Sequence, residues 1–568
     1  MKKLIPLLLI CAMLCGCAGS PVENTAATNP TETNGNAAHP QVADPVYEEI
    51  PRVSRFDKET VIVLSDGGIT VDGGSGTETV YTSRDIIYYE DRDAYESGNP
   101  YGEGSAADKH TSAEAGAHTV VNITAPGAYR VTGKLSAGQI RIDLGGDARD
   151  DENAVVELIL EDTDITCTVA PAILFLNVYE CDGEWSTETA SSDVDTTAAG
   201  ANVILEGENT VNGSYVARIY KDKGGEKKLW KQDGALYSYM SMNIFGPGTL
   251  NLNAENEGLG SELHLTINGG NINIRSGNDG INTNEDDVSV TTINAGTVRI
   301  IAGLGEEGDG IDSNGWLIIN GGIVVSSANP ASDAGLDSDL GSCINGGVVV
   351  ALGSTMDWAE SDSNQVTMNL QFAQYQDGAD SIVIACPDGT VVFAYDPAED
   401  EVLGENIRRY QGAVISTPNL RVGQSYEVYL GSTVSGTETG GIYAADTVTS
   451  FTGGSQMMYT GTDVGMGGFG GGMGGLRPGG QLPGKLPDDF TRPEDDYQVP
   501  EQPAPPENVP AGTGEMPLDG RTPPEGESRP EGFDPGSRDG GAETGPANTL
   551  FFITDMVNAF SGVTAVTE

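Results

Sequence analysis

Short acidic phrases recur in the middle of this sequence, and each joins a glycine to an aliphatic residue and a small acid or amide. In chain order they read EGLGSE (257–262), DGINTN (279–284), DGIDSN (309–314) and AGLDSD (334–339). Alignment on the glycine gives three columns: Gly260, Asn282, Asp312 and Asp337; Glu262, Asn284, Asn314 and Asp339; Glu257, Asp279 and Asp309. Carboxylates repeated in register indicate cation chemistry.

Calcium suits the spacing expected for these columns. Adjacent parallel strands lie about 4.8 Å apart, so two carboxylates in one column would repel by about 3 kcal/mol at an effective dielectric constant near 20. Two oxygens across one calcium ion are about 4.6–5.2 Å apart, whereas magnesium has shorter bonds and stricter geometry. Turn propensity alone explains single acids better than acids in register. The predicted metal ligands are Asp279, Asn282, Asp309, Asp312, Asp337 and Asp339.

The elements that must position these acids are short strands in a regular repeat. The repeats read LTINGGNINI (265–274), TTINAGTVRI (291–300), LIINGGIVVS (317–326) and SCINGGVVVA (342–351), and their asparagines are 26, 26 and 25 residues apart. No window of comparable length has helical periodicity. Strand repeats that keep their aliphatic columns predict a right-handed parallel β-helix. The asparagine column is either an amide ladder or a series of left-handed turn residues, and the turn role is the simpler interpretation.

The predicted fold class is all-β: a right-handed parallel β-helix (solenoid) with a small C-terminal β cap, flanked by disordered linkers. Antiparallel hairpin strands are predicted from residue 376, and fifteen of the 29 prolines lie between 478 and 546, which predicts disorder there. The predicted parts are a signal peptide (1–16), a flexible tether (17–50), the β-helix (51–375), the strand cap (376–452), a Gly/Pro/Glu-rich linker (453–547) and a short apolar C-terminal segment (548–568).

The first residues read as an export signal. Two lysines precede an apolar run that is too short to span a bilayer as a mature helix, and residues 14–17, LCGC, fit a bacterial lipobox. The pattern predicts cleavage before Cys17 and lipidation of its thiol. The mature protein is then expected on the extracellular face of a bacterial membrane, held by the lipid. An ordinary secretory signal is the alternative, and the polar tether after Cys17 favours the lipid anchor.

The charge balance excludes some partners. The chain has 84 Asp and Glu against 29 Lys and Arg, a formal net charge of −55. Such a charge opposes binding to nucleic acid, so no nucleic-acid partner is expected, and it favours cations.

Beyond the lipobox the cysteines are Cys167, Cys181, Cys343 and Cys386. Their spacing matches no zinc motif, and the first two either form a disulfide or remain free thiols.

An ordered series of motifs carries a family resemblance. The chain contains GAYRVTGKLSAGQIRI, FGPGTLNL, GGNINIRSGNDGINTN, GDGIDSNGWLIINGGIVV and LDSDLGSCINGGVVVALG. Over about residues 55–450 it resembles the clostridial carbohydrate-binding domain-containing proteins, cell-surface binders of cellulose and of acidic sugars such as polygalacturonate. The resemblance implies a pectate-lyase-like parallel β-helix with bound calcium and polysaccharide binding, without demonstrated catalysis. The stretches 88–118 and 220–237 do not read as coils and, as insertions, would affect how open a binding groove is.

The favoured function is that of a surface protein that binds polysaccharide. Calcium would bridge the carboxylates of an acidic glycan such as polygalacturonate to Asp309 and Asp312, and cellulose is a further candidate ligand. Trp316 and Trp358 are candidates for stacking on sugar rings, although structural packing is the commoner role of tryptophan.

Two other functions remain open. A calcium-dependent pectate lyase needs a basic residue to take the proton next to a carboxylate. Arg299 is the weak catalytic candidate, although pairing with an acid is the commoner role of an outward arginine. A surface stalk or adhesin that calcium merely rigidifies is the third interpretation. The binding function is favoured over the enzyme.

Overall fold

The structure is a computed structural model that describes residues 50–89, 108–183, 186–219, 230–305, 307–354, 358–400, 402, 407–463 and 548–566. The lipidation candidate Cys17, the predicted signal and most of the predicted linkers lie outside these residues. The described residues are almost entirely β-strand. They contain one α-helix, α1 (Ser112–Ala117), in which Thr111 and Glu114 form a capping box.

The strands up to Gly353 are short and separated by tight turns. They are β1 (Glu59–Leu64), β2 (Thr70–Val71), β3 (Val80–Ser83), β4 (Thr119–Ile123), β5 (Gly127–Leu135), β6 (Gly138–Asp143), β7 (Val156–Cys167), β8 (Ile173–Asn177), β9 (Ala201–Glu206), β10 (Glu208–Gly213), β11 (Val216–Ile219), β12 (Trp230–Gln232), β13 (Gly234–Ser238), β14 (Met242–Phe245), β15 (Thr249–Ala254), β16 (Glu257–Ser261), β17 (Leu265–Ile267), β18 (Asn271–Ser276), β19 (Ile281–Thr283), β20 (Val290–Ile293), β21 (Thr297–Ile301), β22 (Ile311–Ser313), β23 (Trp316–Ile319), β24 (Ile323–Ser327), β25 (Leu336–Ser338), β26 (Gly341–Ile344) and β27 (Val348–Gly353).

Three ladders of parallel strands run through this part of the chain. Ladder A joins β9, β14, β17, β20, β23 and β26. Ladder B joins β10, β15, β18, β21, β24 and β27. Ladder C joins β8, β13, β16, β19, β22 and β25. A stretch that adds one strand to each ladder is called a coil here, so residues one repeat apart become neighbours.

Aliphatic columns fill the space between the ladders. Ile267, Ile293, Ile319 and Ile344 are successive partners in ladder A and are fully buried. Each such burial stabilises the fold by about 1.5–3 kcal/mol relative to exposure. The predicted column is confirmed. The fold is therefore nearly all β, with large and mostly parallel sheets, and is consistent with a β-helix-like fold.

The remaining strands pair mainly in antiparallel fashion. They are β28 (Thr367–Gln376), β29 (Ile382–Ala385), β30 (Val391–Tyr395), β31 (Tyr410–Ser416), β32 (Ser425–Ser435), β33 (Glu438–Thr439), β34 (Ile442–Tyr443), β35 (Ser450–Met458), β36 (Gly461–Asp463), β37 (Phe551–Phe552) and β38 (Val557–Ala565).

These later strands cover the outer face of ladder B in its last coils. Val325 and Val350 are partners on that face and join a second buried cluster with Phe372. The final strand, β38, is parallel to β28 and antiparallel to β35 and β36. Phe551 and Phe560 add two buried rings to the same cluster, so the C-terminal segment is part of a core.

Some predicted irregular stretches are ordered strands. Residues 230–238 contain β12 and β13, and β13 is a member of ladder C, so this part of the stretch 220–237 belongs to a coil. Strands β35 and β36 continue past residue 452, where the linker was predicted to begin.

All four cysteines of the described residues are free thiols. No helix there has the length and apolar character needed to cross a membrane.

Candidate functional site

The acidic columns lie on ladder C. Asn282, Asp312 and Asp337 are successive backbone partners in β19, β22 and β25. The column of Glu257, Asp279 and Asp309 precedes it by three residues and is held in register by main-chain hydrogen bonds from the glycine that follows each acid. Ladder C ends at β25, so both columns run toward the last coil.

The glycine of each phrase allows the coils to approach closely. A Cβ atom at Gly280 would lie 2.5 Å from the carbonyl oxygen of Gly310. A Cβ atom at Gly310 would lie 2.3 Å from the carbonyl oxygen of Gly335 and 1.8 Å from Oγ of Ser326. No side chain fits at these distances, so only glycine is compatible with the stacking of the coils. The glycine thereby brings the flanking acids of adjacent coils into one column.

Main-chain and amide donors hold the inner acids in place. The backbone N–H of Asp309 donates to Oδ1 of Asp279 at 2.7 Å, and the backbone N–H of Ala334 donates to Oδ1 of Asp309 at 2.6 Å. Nδ2 of Asn282 donates to Oε1 of Glu257 at 3.1 Å and to Oδ2 of Asp279 at 3.2 Å. The carboxylates are therefore fixed before any ligand binds.

Burial makes these carboxylates unusually basic. It raises the pKa of Asp279 to about 6 and the pKa of Asp309 to about 8. It also raises the pKa of Glu257 and of Asp312 well above the usual range, and nearby carboxylates add to the effect. The site thus concentrates negative charge that protons or a cation must offset at neutral pH.

The donor chemistry fits calcium in part. Oε2 of Glu257 and Oδ1 of Asn282 are buried and make no hydrogen bond, so two oxygens have unused lone pairs. Burial raises the pKa of Glu257, and the cation of Lys231 offsets only part of that rise; Lys231 also forms an ion pair of 2.5 Å with Asp233. However, among the described residues no three acidic, cysteine or histidine side chains converge as a metal site. Ligation of calcium here would need amide or main-chain oxygens as well as carboxylates.

The other predicted ligands are more accessible. Asp337 is half-buried, and its Oδ1 accepts a 2.9 Å hydrogen bond from the backbone N–H of Ser338. Asp339 is exposed at the end of its column. Partial burial and neighbouring acids raise the pKa of both carboxyl groups. The columns thus become more open to solvent toward β25.

Arg299 is on ladder B, under the later strands. Its side chain is buried, with Nε 3.8 Å from Oδ2 of Asp400, and its Nη2 donates to the carbonyl oxygen of Thr439 at 3.2 Å. The guanidinium therefore connects the coils to the C-terminal strands. This geometry gives it no role in proton abstraction at ladder C.

The two candidate tryptophans are on ladder A. Trp316 pairs with Gly341, and the parallel bridge between Ser342 and Ala359 places Trp358 beside the same glycine. Both indoles are half-buried. Trp316 and Trp358 therefore lie in one column of ladder A, whereas the acids lie on ladder C.

The asparagine column is an amide ladder, so the favoured turn interpretation was wrong. Its rungs are Nδ2–H···Oδ1 bonds of 2.8–2.9 Å that connect Asn268, Asn294, Asn320, Asn345 and Asn364 in order. The left-handed conformation belongs to the glycines of the same turns, such as Gly296 and Gly322. Sequence reasoning missed the fifth rung, Asn364, because it lies beyond the last clear repeat.

A protein-family model matches the central part of the chain. Residues 117–385 match the family model for the carbohydrate-binding domain-containing protein. The family resemblance predicted from the sequence is confirmed, and the match supports carbohydrate binding in general. It includes the acidic columns, the tryptophan column and the amide ladder.

A solved structure also resembles the chain. It is the gadolinium derivative of the polysaccharide lyase-like protein from C. thermocellum, 20% identical, and the match covers 51% of this chain and 94% of that chain with a TM-score of 0.30. This TM-score is too low to bear on function. The comparison with curated protein sequences gave no match.

Proposed function

We propose that the protein is an exported lipoprotein that binds acidic polysaccharide through calcium held by the columns of ladder C. The coils would form a right-handed parallel β-helix, and the lipid on Cys17 would hold it at the outer face of a bacterial membrane. The observation that carries the proposal is the run of acids formed by the buried Glu257 and Asp279 and the half-buried Asp309 and Asp312, inside a segment that matches a carbohydrate-binding family.

Calcium would supply the charge that this surface lacks. A chain with a net charge of −55 repels a polyanion. An ion bound beside Asp337 and Asp339, where the columns open to solvent, could share its coordination with a sugar carboxylate. Polygalacturonate is the acidic glycan to test first. The pectate lyase alternative gains no support, since Arg299 is buried in its contacts with Asp400 and Thr439.

The test is calorimetric titration of the full chain with polygalacturonate, first in calcium and then in excess chelator. We expect heat in calcium only, and a loss of that heat in Asp312→Asn. Asp57→Asn, which changes an exposed acid outside ladder C, is the matched control and should bind as the wild type does. Heat that persists in chelator, or no heat in either buffer, contradicts the proposal.

The same samples distinguish the alternatives. A lyase would release unsaturated products that absorb ultraviolet light, and a binding protein would release none. A stalk stabilised by calcium would show a higher Tm with calcium but no heat with glycan. Strands β37 and β38 pair with the rest of the fold, so a fragment that ends near residue 460 is not a suitable sample.

A further inference from the structure

A polar groove lies on the outer face of ladder A. Its volume is about 480 Å³, which is within the range of about 300–1,000 Å³ that ligand sites occupy. The lining comes from β17, β20, β23 and β26, from the asparagine that follows each of these strands, from residues 192–197, and from Asp362 and Asn364. None of the predicted ligands on ladder C contributes to it, so it is a separate surface.

The floor of the groove repeats once per coil. One column contains Thr266, Thr292, Ile318 and Cys343, which are successive partners in ladder A. The amide ladder runs beside it. At Asn294 and Asn320 the ladder uses one N–H and one oxygen lone pair of each amide, and an amide has two of each. Polar groups are thus presented at intervals of about 4.8 Å.

The tryptophan column extends the same face. In β23, Trp316 and Ile318 are half-buried, and Leu317 between them is fully buried. The side chains of Trp316 and Ile318 therefore point outward. Trp358 lies two strand spacings from Trp316, about 10 Å away along the column. Two indoles on one side of a row of amides and hydroxyls provide apolar faces for sugar rings and donors for their hydroxyl groups.

The charge of the lining selects against acidic ligands. Asp193, Asp195 and Asp362 contribute carboxylates, and none of the described residues that line the groove is a lysine, arginine or histidine. A polyanion would be repelled there, whereas sugar hydroxyls can donate to carboxylates and exchange hydrogen bonds with amides. One sugar unit of an extended chain is about as long as the spacing between coils, so a chain across ladder A would meet equivalent groups at each step.

We propose that this groove binds an uncharged, hydroxyl-rich polysaccharide, which lies across the coils of ladder A between the amide ladder and the tryptophan column. The groove lies within residues 117–385, the segment that matches the carbohydrate-binding family. It requires neither calcium nor the acids of ladder C. The protein would then have two glycan surfaces with opposite charge preferences.

The test titrates the full chain, in excess chelator, with cellohexaose and with an oligogalacturonate of the same length. Chelator removes the calcium-dependent surface from the experiment. We expect heat with the uncharged oligosaccharide and none with the charged one. Equal binding of both, or no binding of the uncharged sugar, would overturn the inference.

Ile318→Glu places a carboxylate on the groove floor and is expected to weaken cellohexaose binding about tenfold or more, as loss of a central contact does at other interfaces. Val63→Glu is the matched control, because it adds the same charge at an exposed, outward position of β1. Trp358→Ala should also lose affinity, while Trp358→Phe, which keeps a ring, should retain most of it. Circular dichroism checks that each variant is folded.

The outcomes separate this inference from the proposed function. Ile318→Glu should bind polygalacturonate in calcium as the wild type does, because Ile318 is outside ladder C. If calcium-dependent binding is absent but cellohexaose binds and Ile318→Glu abolishes it, only the proposal for ladder C fails. If Ile318→Glu and the wild type bind cellohexaose equally, the groove proposal fails.

Discussion

Oδ1 of Asp279 accepts a 2.7 Å hydrogen bond from the backbone N–H of Asp309, its neighbour in the next coil. Asp309 repeats the relationship with the backbone N–H of Ala334 at 2.6 Å. Each acid is therefore held by the main chain of the coil that follows it. The carboxyl groups remain in register because the coils stack. Ionising them together therefore lowers the stability of the folded state.

The first prediction concerns pH in the absence of calcium. The folded pKa is about 6 for Asp279 and about 8 for Asp309, against about 3.9 in an unfolded chain. At a pH between the unfolded and the folded pKa, the folded state holds protons that the unfolded state has released. Its stability therefore falls as pH rises from about 4 through about 8. In chelator we expect a lower Tm at pH 8.5 than at pH 5.

Calcium should remove most of this pH dependence, because it replaces the protons on the same carboxylates. Asp309→Asn is the matched variant, and its decrease in Tm between pH 5 and pH 8.5 should be smaller. A Tm in chelator that increases over this interval would contradict the assigned burial of the acids.

The second prediction separates the effect of the Asp312 carboxylate on stability from its effect on calcium binding. Asp312→Asn removes a half-buried carboxylate that lies among other acids, with little change in volume, so in chelator it should raise the free energy of unfolding by about 1–2 kcal/mol. In calcium the same variant should bind the ion about tenfold more weakly. Asp57→Asn should change the free energy of unfolding by less than about 0.5 kcal/mol. Urea unfolding and calcium titration provide the two measurements, and a destabilised Asp312→Asn in chelator would argue against the site.

The third prediction tests the close stacking at the glycine column. Gly310→Ala places a methyl group 2.3 Å from the carbonyl oxygen of Gly335. We expect a loss of about 1–3 kcal/mol in the free energy of unfolding, the usual effect of overpacking. Gly116→Ala in α1 is the control, since among the described residues no atom outside its chain neighbours and the backbone of its own helix lies within 4 Å of the added Cβ, and it should stabilise by about 0.5–1 kcal/mol. Equal effects of the two variants in urea unfolding would show that the coils are less closely stacked.

The fourth prediction concerns the C-terminal strand. Phe560 is fully buried against Phe551 and Tyr459, with ring centroids 5.0 and 4.9 Å away. Phe560→Ala should therefore cost about 3–5 kcal/mol. Phe552→Ala removes an exposed ring of the same segment and should cost less than about 0.5 kcal/mol. Similar unfolding midpoints for the two variants would indicate that β38 does not dock on β28.

Much of the coil architecture could be predicted from the sequence. The aliphatic column that includes Ile293 and Ile319 and the acid column that includes Asp312 and Asp337 both follow from a constant repeat length. In stacked parallel strands, residues at equivalent positions must become neighbours, so spacing along the chain converts directly into contacts.

The remaining features depend on segments that no repeat connects. The burial of Arg299 against Asp400 and the docking of β38 beside β28 join residues more than 100 positions apart. The choice of an amide ladder instead of left-handed asparagines depended on the glycines that take positive φ angles in those turns. The sequence by itself determined which residues form columns, because register depends only on repeat length. The tertiary structure alone decided which columns are buried, covered or open to a ligand, because that depends on how distant segments pack.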